Sequence, residues 1–274
     1  MDWSMDVATP GAPLVERLPA ALVVAAGTPQ LGTTTTAGLI ALAAYDTGAS
    51  VLLVDAAGDW ARAHGVSPVA RLFGAGAAVP PLTHLPLADH FALWSGGADA
   101  RALADDARAR VLVHAGAHDV VVFDAGRQWA TMRWVGDVMT ALALGPAAHA
   151  PAALILTGEA RESIAASYAA AKVLRQHAGA AGGAAHRPLP VAVTTARLER
   201  DRGTSASRTL ADACEALLGA DVRVLTGLPD DPILPRAIGG GMSIADSTYG
   251  SPTRTTAAHL ARALLPLRPA DALR

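Results

Sequence analysis

Leu22 to Asp55 reads LVVAAGTPQLGTTTTAGLIALAAYDTGASVLLVD, and the fold turns on how this stretch is read. An unbroken apolar run gives way at Gly27 to a turn-forming segment, Gly-Thr-Pro-Gln-Leu-Gly. Four threonines then open an alanine- and leucine-rich stretch, and after Gly48 a second apolar run ends in Asp55. Short continuous apolar runs between turn signals are strands covered on both faces. Strand, loop, helix and strand in that order form one crossover unit of a parallel sheet. A helix that starts directly after a strand and a loop presents backbone N–H groups and the positive end of its dipole to that loop, which suits a phosphate.

The same alternation continues outward. Strands are predicted at 20–26, 51–54, 91–94, 120–123, 153–156, 191–193 and 223–225, and helices at 34–45, 98–115, 128–144, 162–177 and 205–218. The expected fold is α/β, a three-layer α/β/α arrangement around a mostly parallel sheet of about seven strands. Residues 1–18 read as a lead-in, 19–268 as a single domain and 269–274 as a tail. The Pro/Gly-rich stretches 66–86 and 178–190 read as surface excursions. Two uncharged stretches, 18–45 and 138–157, are interrupted by turn residues and read as strand–loop–helix and helix–loop–strand, not as membrane spans.

Against the phosphate-loop pattern G-x-x-x-x-G-K-[ST], the loop reads Gly27-Thr28-Pro29-Gln30-Leu31-Gly32-Thr33-Thr34. The second glycine and the magnesium-facing hydroxyl of Thr34 are kept; the lysine is not. Lys172 is the one lysine of the chain, far along the sequence on a predicted helix, so no neighbouring lysine replaces it. Threonine at position 33 leaves a hydroxyl and no mobile charge, a loss expected to cost phosphoryl transfer ~10²-fold or more. Pro29 removes an N–H and fixes φ where a glycine would turn freely.

The stretch resembles the deviant Walker A region of MinD/ParA-type ATPases, K-G-G-x-G-K-T-T followed by a helix and a strand VLLVDAD. On that resemblance Thr28 stands at the signature lysine, Pro29 and Gln30 at the two glycines, Gly32 at the retained glycine and Thr33 at the second lysine. Thr34 and Thr35 match the threonine pair, Asp55 the first acid of the strand end, and Ala57 replaces the second acid. VVVFDAGR (120–127) is similar to the second switch, with Asp124 at the Walker B position. TGEARESIAASYAAAK (157–172) resembles the segment after the fifth strand. PVAVTTAR (190–197) is similar to the V-N-R segment, with Thr194 for the adenine-facing asparagine, and GLPDDPILPRAI (227–238) resembles the base-side loop. GSPTRTTAAHLARAL matches the last helix. The resemblance spans about residues 20–265, and between Trp60 and Arg127 it is nearest to the divergent MinD-like proteins of septum-site and tight-adherence pilus systems.

The resemblance implies ATP and magnesium as cofactors. Nucleotide would meet Gly27, Thr28, Gln30, Leu31, Gly32, Thr33, Thr34, Thr35, Thr194, Pro229 and Asp230. Magnesium would meet Thr34, Asp55 and Asp124, and Asp55 and Asp124 would be the catalytic acids of an active member. It also implies a homodimer or a protein partner. Set against the lost lysines, two readings stand: a localisation, assembly or partition-type factor acting through protein interactions, and a slow magnesium-dependent ATPase with a rebuilt loop in which an arginine, Arg127 first, substitutes for lysine.

Composition bounds the rest. The formal net charge is −2 without a basic block, so strong electrostatic capture of nucleic acid is not expected, and a DNA-bound partition factor ranks third. One cysteine, Cys214, excludes an internal disulfide and fits a reducing compartment; no leader pattern is visible, and the expected location is cytoplasmic. His114 and His118 have i, i+4 spacing but no third ligand nearby, and read as structural. No G-x-S-x-G elbow or G-x-G-x-x-G fingerprint occurs. Trp60, Trp94, Trp129 and Trp134 read as core, with Trp60 and Trp129 as contact candidates because they follow the two switch strands.

Overall fold

The computed structural model describes residues 19–57, 83–88, 90–95, 105–143, 151–179, 189–195, 203–232, 234 and 247–267. Eight strands form one sheet: β1 (Ala20–Ala26), β2 (Val51–Asp55), β3 (Thr83–Ala88), β4 (Phe91–Ser95), β5 (Val120–Gly126), β6 (Ala152–Thr157), β7 (Val191–Thr195) and β8 (Val222–Val224). Their order is β3-β4-β2-β5-β1-β6-β7-β8. All pairs are parallel except β3–β4 at the edge. Six helices lie among the described residues: α1 (Thr33–Tyr45), α2 (Asp105–Ala115), α3 (Trp129–Ala143), α4 (Arg161–Gly179), α5 (Gly203–Leu218) and α6 (Pro252–Leu264).

The expected three-layer architecture is present, and the seven expected strands all form. The strands β1, β2, β5, β6 and β7 are buried along their whole length, which is why they carry no polar–apolar alternation. One core holds Val23, Val54, Phe123, Ile155 and Val193 with residues of α2, α3, α4 and α5. The other holds Leu22, Leu53, Val122, Leu154 and Ala192 with residues of α1 and α6. Alternate residues of each strand therefore feed opposite layers.

One expectation needs correction. The stretch 66–86 was expected to be a surface excursion, yet its last residues belong to β3, an antiparallel edge strand that ends with a register shift between Pro86 and Ala88. Proline cannot donate to a ladder, so a strand containing it belongs at an edge or a bulge, and both apply here. The lead-in 1–18, the tail 269–274, Trp60 and most of the excursion 178–190 lie outside the described residues.

The helix ends explain how α1 is held. It is buried around much of its girth, from Thr36 to Ala44. At its C-terminal end Asp46 Oδ2 accepts from Arg254 Nε and Nη2 at 3.0 and 2.7 Å. Arg254 sits in the first turn of α6, where Ser251 accepts from the Arg254 N–H at 3.2 Å and Pro252 opens the helix, a favourable start on both counts. The stretch 19–45 forms strand, loop and helix as expected, and 138–157 holds the end of α3 and all of β6, with 144–150 outside the described residues. No helix among the described residues is long and apolar enough to cross a membrane.

Candidate functional site

Parallel strands put their C-terminal ends on one edge, and that edge collects the candidate residues. The phosphate loop, 27–32, leaves the end of β1, the central strand, with β5 and β6 on its two sides. Registers place the rest. Asp55 pairs with Asp124 across β2 and β5, and Val24 of β1 pairs with Asp124. On the other side Ala26 pairs with Leu156, and Leu156 with Thr194. Asp55 and Thr194 thus each stand two strands from β1, roughly 10 Å away on opposite sides. Both aspartates are fully buried.

The loop is a built structure. A methyl group on Gly27 would overlap the backbone of α4 at Ala166 and Ser167, so only glycine lets the loop lie on that helix. Thr28 Oγ1 and Ser163 Oγ are hydrogen-bonded at 3.0 Å, and Ser163 Oγ also accepts from the Gly158 N–H at 2.8 Å. Ser163 thereby ties the loop after β1 to the end of β6. Gln30 and Gly32 both lie in the left-handed region, at φ 63° and 73°. Gly32 caps α1 with no side-chain hydrogen bond, and its carbonyl accepts from the Thr36 N–H at 2.8 Å. The helix starts at Thr33, one residue earlier than expected.

Charge is what the loop lacks. Residues 27–36 hold no lysine, arginine or histidine, and Pro29 has no N–H. What remains facing a ligand is hydroxyl groups, peptide N–H groups and the partial positive charge of the α1 terminus, about +0.5. Lys172 is exposed on α4, and Arg127 is exposed in the turn after β5.

The two switch segments are fastened to each other. The Asp124 carbonyl accepts from both the Ala56 and Ala57 N–H groups at 3.1 Å, and Asp124 Oδ1 accepts from the Gly126 N–H at 3.0 Å. Gly126 has φ 56°, and a methyl there would stand 2.8 Å from the Ala57 methyl. A small residue at each position lets the ends of β2 and β5 close together.

On the base side, Thr194 is buried and its Oγ1 has no hydrogen-bond partner among the described residues. Gly227 lies close enough to β7 that a methyl would overlap the Thr195 carbonyl. Pro229 is half-buried and Asp230 exposed; Ile233 and residues 235–238 fall outside the described set. The metal-type trio Thr34, Asp55 and Asp124 shares this edge, and no cluster of three or more His, Cys, Asp or Glu side chains that would hold a metal occurs among the described residues.

The remaining candidates sort as structural. His118 Nδ1 bonds the His114 carbonyl at 2.8 Å at the end of α2. Cys214 is buried in α5, and burial pushes its thiol up to about 11, so it packs and stays protonated near neutral pH. Trp94 and Trp134 stack, with ring centroids 5.9 Å apart. Trp129 is 42% exposed at the start of α3, in keeping with a contact residue and not with core. The sequence reading missed Ser163, whose only signal is a serine in the first turn of a helix after a strand.

No protein-family model matches the chain, and no curated protein matches it in sequence. Solved structures do match. The septum site-determining protein MinD of Pyrococcus horikoshii, solved with Mg-ADP, is similar at TM-score 0.58 and 16% identity, over 90% of this chain and 96% of that one. The MinD cell division protein of Aquifex aeolicus gives 0.58 and 17%, over 91% and 99%. Cobyrinic acid a,c-diamide synthase from Mycobacterium smegmatis, with a bound ATP analogue and magnesium, gives 0.57 and 18%, over 90% and 94%. At these identities the likeness establishes architecture: the chain has the α/β/α fold of the MinD cell division proteins and of cobyrinic acid a,c-diamide synthase.

Proposed function

We propose that this is a MinD/ParA-like protein whose nucleotide site has stopped working as a hydrolytic centre, and that it acts through protein contacts, as a homodimer or with a protein partner, in localisation, assembly or partition. One observation carries the reading. Thr28, at the place of the signature lysine, directs its hydroxyl into its own α4 by bonding Ser163, and no cation stands anywhere in the loop. ATP with magnesium is the cofactor the fold suggests, and the donor set does not suit its triphosphate. Neutral hydroxyls and a helix terminus replace two positive charges, and Pro29 replaces a donor. An N–H or O–H donor gives roughly half the stabilisation of a charged one.

The second reading, a slow magnesium-dependent ATPase, draws support from Asp55 and Asp124, which are paired in register at the ends of β2 and β5 and would, with Thr34, hold magnesium and water. Turnover separates the two. With magnesium and ATP in excess, the wild type is expected to release phosphate no faster than the Thr34→Ala, Asp124→Ala double variant. A wild-type rate clearly above that control would establish the ATPase and remove the leading reading in its strict form. Trp129, with the exposed Arg127 and Gln128 beside it, is the part of this edge best suited to a protein contact.

A further inference from the structure

A cavity of about 300 Å³ opens on the α5 side of the sheet. Thr195 at the end of β7, Ser207 and Arg208 on α5, Val224, Leu225 and Thr226 at and after β8, and Gly227, where the base-side loop begins, line it. Residues 27–35 take no part in its lining, nor do Thr194, Pro229 or Asp230. It is thus separate from the phosphate loop, and it borders the base-side loop at Gly227.

Ser207 is the telling residue. It is 1% exposed, and its Oγ has no hydrogen-bond partner among the described residues. Several helical hydroxyls of this chain find a carbonyl: Thr140 donates to Gly136 at 3.0 Å, Thr209 to Ser205 at 3.0 Å and Ser167 to Leu156 at 2.9 Å. Thr131 Oγ1 on α3 is buried without a partner among the described residues, as Ser207 Oγ is, but of the two only Ser207 lines this cavity. A buried hydroxyl that forgoes this bond weakens the fold unless something else supplies a partner. Arg208, the next residue, is exposed and makes no ion pair among the described residues. A guanidinium only donates, whereas a hydroxyl donates or accepts. Together they suit an acceptor that carries negative charge. Val224 and Leu225 supply an apolar wall beside them.

We propose that this cavity binds a small anion, a carboxylate or phosphate group on a short apolar body. The charge pairs with Arg208, one anionic oxygen accepts from Ser207 Oγ, and Thr195 and Thr226 offer further hydroxyls. The positive end of the 16-residue helix α5 adds to the attraction.

Calorimetry on the full chain tests this with two probes, butyrate for the carboxylate and inorganic phosphate for the phosphate, and with adenosine as an uncharged comparison. One of the two anions is expected to bind with a millimolar Kd, and which one does identifies the charged group. Arg208→Gln should weaken that binding at least about tenfold, as removal of a charged hydrogen-bond donor does. Ser207→Ala should weaken it about threefold or more while leaving Tm unchanged or higher, since a buried unpaired hydroxyl is removed. Arg133→Gln, on α3, should leave it unchanged. No binding of either anion at roughly 20 mM, an affinity that Arg208→Gln does not move, or adenosine binding more tightly than both anions would each overturn the proposal. None of these outcomes depends on whether the phosphate loop holds ATP.

Discussion

Gly27→Ala is expected to destabilise the fold by about 3 kcal/mol or more, a fall in Tm of roughly 6–12 °C for a chain of this size. The reason is position. The added methyl would meet the backbone of α4 at Ala166 and Ser167, and helix backbone cannot step aside as a flexible side chain can. Overpacking usually costs about 1–3 kcal/mol when side chains give way, so a clash with backbone belongs at or above the top of that range. Gly32→Ala is the informative comparison. Nothing lies within 4 Å of its methyl, and its φ of 73° leaves conformational strain alone, about 1–2 kcal/mol. Thermal or urea unfolding of both variants should therefore rank Gly27 well above Gly32. Equal effects would mean that the loop is not packed on α4 as described, and the Thr28–Ser163 bond would lose its structural support.

Thr33→Lys is expected to raise the affinity for magnesium-ATP about 10- to 150-fold over the wild type. Thr33 is the first residue of α1, at the position that the resemblance assigns to the second lysine. A hydrogen bond to a charged group contributes about 1.5–3 kcal/mol, which converts to that range of affinity. The gain should be partial, because Pro29 still lacks an N–H and Thr28 stays bound to Ser163. Adding Pro29→Gly should increase it further, by returning one donor. Competition against a fluorescent ATP analogue measures both steps. An unchanged affinity in Thr33→Lys would show that missing charge is not what disables the loop, and attention would pass to the left-handed turn at Gln30.

Much of the architecture was legible because buried parallel strands write themselves as unbroken apolar runs: 20–26, 51–54 and 120–123 need no partner to be recognised. β3 was not, since a short edge strand containing Pro86 has the composition of a loop. At the site, the order of Gly27, Thr34, Asp55, Asp124 and Thr194 along the chain already suggested one edge of one sheet, and the registers Asp55 with Asp124 and Leu156 with Thr194 show why. The ties that hold the edge were illegible. Thr28 and Ser163 are 135 residues apart, and a contact at that distance leaves no local pattern. Ser207 gave no signal either, because a serine in a helix looks the same whether or not its hydroxyl finds a carbonyl.

On the proposed function, the phosphate loop is kept as structure and lost as a nucleotide site. Isothermal titration of the wild-type chain with ATP and magnesium tests that claim most directly. Binding no tighter than about 1 mM, or −4.1 kcal/mol, is expected. Saturable binding tighter than about 100 μM, near −5.5 kcal/mol, and weakened by Thr34→Ala, would contradict it.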